Sequence, residues 1–158
     1  MIGPWKCGPM PMRATLILAI CVLPGLATGQ VVRECDTFEA NARNLAFLPN
    51  SRPAVDVFAN GDVWTIGLDT LEPACCSAHL MVNYFTELEP FPICALVSAS
   101  EGVGFSGLRH DEMTATYDPS VGVTLTLPAG RYDGSASVMS RLVVTVNRAT
   151  ATVTAHHE

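Results

Sequence analysis

The chain has 158 residues, 49% of them hydrophobic, and a formal net charge of −6. That size suits one domain, which buries roughly two-thirds of its unfolded surface and needs no disulfide to hold a core. The acidic balance argues against nucleic acid or anionic lipid as a partner, because both polyanions are repelled.

The amino terminus carries the marks of an export signal. Arg13 precedes an apolar run from Leu16 to Leu23, Pro24-Gly25 breaks it, and the small residues Ala27 and Gly29 stand just ahead of Gln30. That order of charge, apolar core and small-residue site predicts cleavage before Gln30. The apolar run is far shorter than the ~20 residues that span a bilayer, so no stable membrane anchor is expected after cleavage. Bulky Ile20 ahead of Cys21 argues against a lipid-attachment site. Residues 1–29 are thus expected to be a signal peptide, residues 30–53 an N-terminal tether with a short helix, and residues 54–158 a β domain. Beyond the predicted cleavage point there are seven arginines, no lysine and fifteen acids, a formal charge of −8. Without a lysine there is no side-chain amine for Schiff-base chemistry. The sequence has no Asn-x-Ser/Thr acceptor site. Together these features point to a periplasmic or secreted protein of bacterial type.

In the tether, Thr37–Phe47 has the spacing of a short helix capped by Asp36 or Thr37, with Phe38, Ala42, Leu45 and Ala46 on one face. Pro49–Pro53 ends it. From Ala54 the period becomes two. Ala54–Ala59 and Asp62–Asp69 flank Asn60-Gly61, a strong hairpin signal. His79–Glu87 and Ile93–Ala99 follow, separated by Glu89-Pro90-Phe91-Pro92. Met113–Tyr117 and Val121–Leu127 flank Asp118-Pro119-Ser120, and Arg141–Val146 and Ala151–His156 flank Asn147–Thr150. Val121, Val123, Leu125 and Leu127 alternate with small or hydroxylated residues, as a half-buried strand requires. Short strands with turn signals every ~8–12 residues predict an all-β fold, a single antiparallel β-sandwich or barrel of about eight or nine strands.

Four groups of residues have a chemical reading. Gly102–Gly107 fits G-x-G-x-x-G, but a dinucleotide site needs that loop between a strand and a helix. Here Leu108–Asp111 leads into another strand, so no cofactor is expected and the glycines are read as a bend or bulge. Ser106, with His79 or His110 as base and Asp111 as orienting acid, is the hydrolase reading. The G-x-S-x-G spacing of a nucleophile elbow is absent, so no catalytic residue is assigned. Cys75, Cys76, His79 and Met81 gather soft or borderline donors, the set that suits Cu(I) or Zn(II), or thiol redox chemistry. The alternative for these cysteines is structural disulfides, which exported domains favour.

Cys35, Cys75, Cys76 and Cys94 allow three full pairings. If His79–Glu87 and Ile93–Ala99 form a hairpin, Cys94 lies opposite Thr86. Cys75 and Cys76 then lie at the far end of that hairpin, roughly 30 Å away at ~3.3 Å per residue, well beyond the ~7 Å a disulfide tolerates. Cys94 is therefore paired with Cys35, leaving Cys75 and Cys76 as a vicinal disulfide or two thiols. The functional expectation is a non-catalytic exported module that binds a protein or small-molecule ligand, or serves a structural role. The alternative is a soft-metal or thiol-redox module, with a small hydrolase the third reading.

Overall fold

Alternating apolar residues from Ala54 onward pair into strands whose inner faces meet. In the computed structural model, which describes residues 30–158, ten strands form two antiparallel sheets. The strands are β1 (Val31–Glu34), β2 (Val55–Phe58), β3 (Val63–Asp69), β4 (Ala78–Tyr84), β5 (Ile93–Ser98), β6 (Gly107–Leu108), β7 (Thr114–Asp118), β8 (Gly122–Tyr132), β9 (Ser137–Asn147) and β10 (Thr152–His157). The first sheet runs β1-β5-β4-β3-β2. The second runs β10-β9-β8-β6, and β7 also pairs with β8, at the end away from β6. The expected signal peptide at 1–29 lies outside the described residues.

The fold is all-β, and of the two expected architectures it is the sandwich. Val63, Leu80, Val82 and Val97 of the first sheet share one core with Val123, Leu125, Leu127, Leu142, Val144 and Val146 of the second. Phe105, fully buried, joins this core from the segment between β5 and β6. The Asn60-Gly61 signal gives the β2–β3 turn, where Ala59, Asn60 and Gly61 all take positive φ.

The expected helix over Thr37–Phe47 does not form. Only a single 3-10 turn, Ala42–Asn44, occurs there, capped by the Asn41 side chain on the Arg43 amide. The reason is competition from β3. Beyond the reach of β2 it offers free backbone groups, and the segment takes them: Leu45 bridges Leu68, and the Ala46 amide donates to the Gly67 carbonyl. One short turn offers too few hydrogen bonds to outbid that pairing. Residues 30–53 are also more than a tether, because β1 pairs with β5 from Val31↔Ser98 to Glu34↔Ala95. The β4–β5 register places Cys94 opposite Asn83 rather than Thr86.

Candidate functional site

Asp56 of β2 and Thr65 of β3 face each other across the ladder, and both point to the interior side of the sheet. His110, in a 3-10 turn between β6 and β7, inserts its ring against this pair. Its Nε2 lies 3.1 Å from Thr65 Oγ1, and its Nδ1 lies 3.1 Å from Asp56 Oδ2, outside hydrogen-bond geometry. Arg52 then holds the other oxygen of Asp56 at 3.2 Å. The ring is 2% exposed. Burial pushes its pKa below the ordinary value, against the opposing pull of Asp56.

The order hydroxyl, imidazole, carboxylate is that of a nucleophile, base and orienting acid. Access decides against that use. Thr65 is 0% exposed, and the cleft of about 230 Å³ that touches His110, Leu68 and Phe105 does not touch Thr65. A buried hydroxyl with no route for an acyl group cannot act as a nucleophile. The cluster instead ties the edge of the first sheet to the turn that starts β7 of the second.

Ser106 is not brought to His110. Its hydroxyl lies over Gly130 and meets Ser137 Oγ at 2.5 Å, and a Cβ at Gly130 would stand 2.6 Å from Ser106 Oγ. Asp111 does not orient the imidazole either. It lies 3.6 Å from Arg109, while Asp56 fills the place by the ring. Sequence reading missed Asp56 and Thr65. Their one signal was the hairpin register itself, which sets them opposite each other.

Cys35 and Cys94 are disulfide-bonded, with Cα atoms 5.8 Å apart, and stand 59 positions apart in sequence. The bond fastens the end of β1 to β5. Cys75 and Cys76 are bonded to each other in the loop between β3 and β4. His79 lies on the outer face of β4, buried, with Nδ1 2.9 Å from Ser98 Oγ. Burial lowers its pKa, and the charges of Glu39, Arg33 and Asp69 act on it in smaller measure. Met81 sits two residues further along that face, half-buried opposite Ile66 and Leu96. Among the described residues, no three His, Cys, Asp or Glu side chains gather as a metal site.

A cleft of about 440 Å³ opens between β2 and β7 at the side of the sandwich away from β1 and β10, where a more polar hollow of about 590 Å³ lies between Arg33, Tyr84 and Val153. Phe58, Ala115, Tyr117 and Val123 give it apolar walls. Arg148 closes one end, paired with Asp62 at 2.8 Å and donating to the Phe85 carbonyl. All five residues of β7 are exposed, Tyr117 most openly among the aromatic groups near the cleft. Among the described residues no helix is long and apolar enough to cross a membrane. Comparison with protein-family models, curated proteins and solved structures finds no match for the chain.

Proposed function

We propose that this is an exported, disulfide-bonded β-sandwich that binds a ligand in the cleft between β2 and β7 and does not catalyse a reaction. One contrast carries the reading. The groups with chemical potential are occupied by neighbours: His110 between Asp56 and Thr65, Ser106 on Ser137, His79 on Ser98. The β2–β7 cleft, by comparison, presents an exposed aromatic and a strand edge that is unpaired among the described residues, beside apolar core. Clefts with apolar walls and a few polar groups are the usual form of a ligand site. Two disulfides and the leader-like residues 1–29 support an oxidising, extracytoplasmic location.

A fragment and short-peptide screen by ¹⁵N NMR tests this proposal. Binding should shift amides around Phe58, Tyr117 and Arg148, and Tyr117→Ala should weaken it. Hydrolysis of a test ester that disappears in His110→Ala would overturn it.

The bonded, half-buried pair Cys75-Cys76 favours a second reading, thiol redox chemistry. The soft-metal form of that reading has less support, since His79 is turned to Ser98 and Met81 packs on the sheet.

A further inference from the structure

We infer that the Cys75–Cys76 disulfide is a reducible latch that holds the β3–β4 loop onto the glycine segment 102–107, and so sets the shape of the cleft beside His110. The inference rests on the thiol-redox reading and adds what the bond controls.

The loop is short and tightly tied. The Thr70 amide donates to the Ser77 carbonyl at 3.0 Å, and the Leu71 amide to Asp69 Oδ1 at 2.8 Å. Within it Cys76 has φ of +72°, a left-handed conformation that a residue with a Cβ rarely adopts. The neighbouring bond confines the 75–76 peptide in a small ring, and this ring keeps Cys76 there. In that position the Cys76 carbonyl faces Gly104. A Cβ at residue 104 would stand 2.5 Å from both the Cys76 and the Ala78 carbonyl oxygens, so the two backbones are in direct contact. One residue on, Ala78 and Phe105 exchange both backbone hydrogen bonds, at 3.2 and 2.6 Å. Ser77, Ala78 and Phe105 are also walls of the cleft of about 230 Å³ that reaches His110. The disulfide, the left-handed residue, the glycine contact and the cleft wall thus form one continuous chain of contacts.

Reduction needs a dithiol donor. Its thiolate attacks one sulfur of the pair, the other sulfur leaves and takes a proton, and the second donor thiol resolves the mixed disulfide. Two electrons and two protons pass to Cys75 and Cys76, and the donor becomes a disulfide. Once the ring is open, Cys76 is free to return to negative φ. Its carbonyl then leaves Gly104, and the Ala78–Phe105 bridge loosens. Cys75 and Cys76 are half-buried rather than enclosed, so the donor has access. The Cys35–Cys94 bond, which closes a long loop, is the more resistant of the two.

The test uses the exported protein treated with low concentrations of dithiothreitol, alkylated and mapped by mass spectrometry, with hydrogen–deuterium exchange in parallel. Alkyl groups should appear on Cys75 and Cys76 while Cys35–Cys94 stays intact. The amides of Thr70, Ala78 and Phe105 should then exchange faster by at least about tenfold, with the β8–β9 amides unchanged. The Cys75→Ser/Cys76→Ser double variant should show the same local exchange without any reductant. Thiols that appear only when the whole fold is lost would overturn both the thiol-redox reading and the latch. Thiols that appear with no change at Ala78 and Phe105 would leave the thiol-redox reading standing and overturn the latch.

Discussion

His110 Nε2 meets the hydroxyl of Thr65 at 3.1 Å, so a group from the turn before β7 is bonded to the inner side of the opposite sheet. Thr65 Oγ1 also donates to Met113 Sδ at 3.7 Å, but removing the hydroxyl would leave the buried Nε2 of His110 without its partner. Thr65→Val should therefore destabilise the fold by about 1–3 kcal/mol although it nearly preserves shape. Chemical denaturation checks this, and an unchanged midpoint would mean that the contact is idle.

The same burial gives the stability a pH dependence. His110, His79 and His157 all have pKa values pushed below the ordinary 6.5, chiefly by burial. Near that pH the unfolded chain takes up protons that the folded chain refuses. Their contribution is complete above about pH 6.5 and is lost as pH falls towards the folded values. Glu39 adds a second, lower window. The Arg33 guanidinium, 2.7 Å away, holds its pKa down to about 2 from 4.5, so its contribution fades from about pH 4.5 downward. Melting temperature should fall on acidification from about pH 7 to 5, less steeply in His110→Gln, and fall again below pH 4.5. A melting temperature that rises from pH 7 to 5 would contradict this account.

The three motif glycines should differ in a telling way. A Cβ at Gly104 meets two carbonyl oxygens at 2.5 Å, while one at Gly107 has nothing nearer than Met139 Sδ at 3.9 Å. Gly104→Ala should cost about 1–3 kcal/mol from overpacking, and Gly107→Ala should stay within about 0.5 kcal/mol. Gly102 has open space but φ of +69°, so alanine there should cost through backbone conformation, about 1 kcal/mol. Thermal melts of the three variants check the order.

Much of the sandwich was legible because period-two burial and turn chemistry are local. Leu142, Val144 and Val146 alternate inward as their sequence spacing implies, and Asn60-Gly61 turns the chain where expected. What was missed depends on partners distant in sequence. β1 is four residues long and half-polar, and it is a strand because β5 offers an edge. β8 continues through Pro128 to Tyr132, although proline and glycine in 128–130 suggest an end at Leu127. Pro128 is accommodated because it falls in the gap between the stretches of β8 that pair with β6 and with β7, so its missing N–H costs no ladder bond there, while its carbonyl accepts from the Arg109 amide. The expected helix failed for the same reason in reverse, as an edge of β3 outcompeted a local preference. The candidate site was the least legible part. His110 was singled out, but Asp56 and Thr65 come from a hairpin 45 or more positions earlier.

The Cys35–Cys94 bond should carry a stability that the vicinal bond does not. With its cysteines 59 positions apart, it removes up to about 4 kcal/mol of unfolded-chain entropy. Cys35→Ala should free β1 from β5 and lower the melting temperature by on the order of 10 °C. The Cys75–Cys76 bond, between adjacent residues, closes almost no loop, so the Cys75→Ser/Cys76→Ser variant should melt within a few degrees of the parent.

The proposed export of this sandwich into an oxidising compartment is checked by intact mass and non-reducing peptide mapping of the protein recovered from fractionated cells of the exporting host. The expected product is extracytoplasmic and begins at Gln30, with Cys35 linked to Cys94 and Cys75 linked to Cys76. A chain that keeps residues 1–29, stays in the cytoplasm and carries four free thiols at Cys35, Cys75, Cys76 and Cys94 would contradict it.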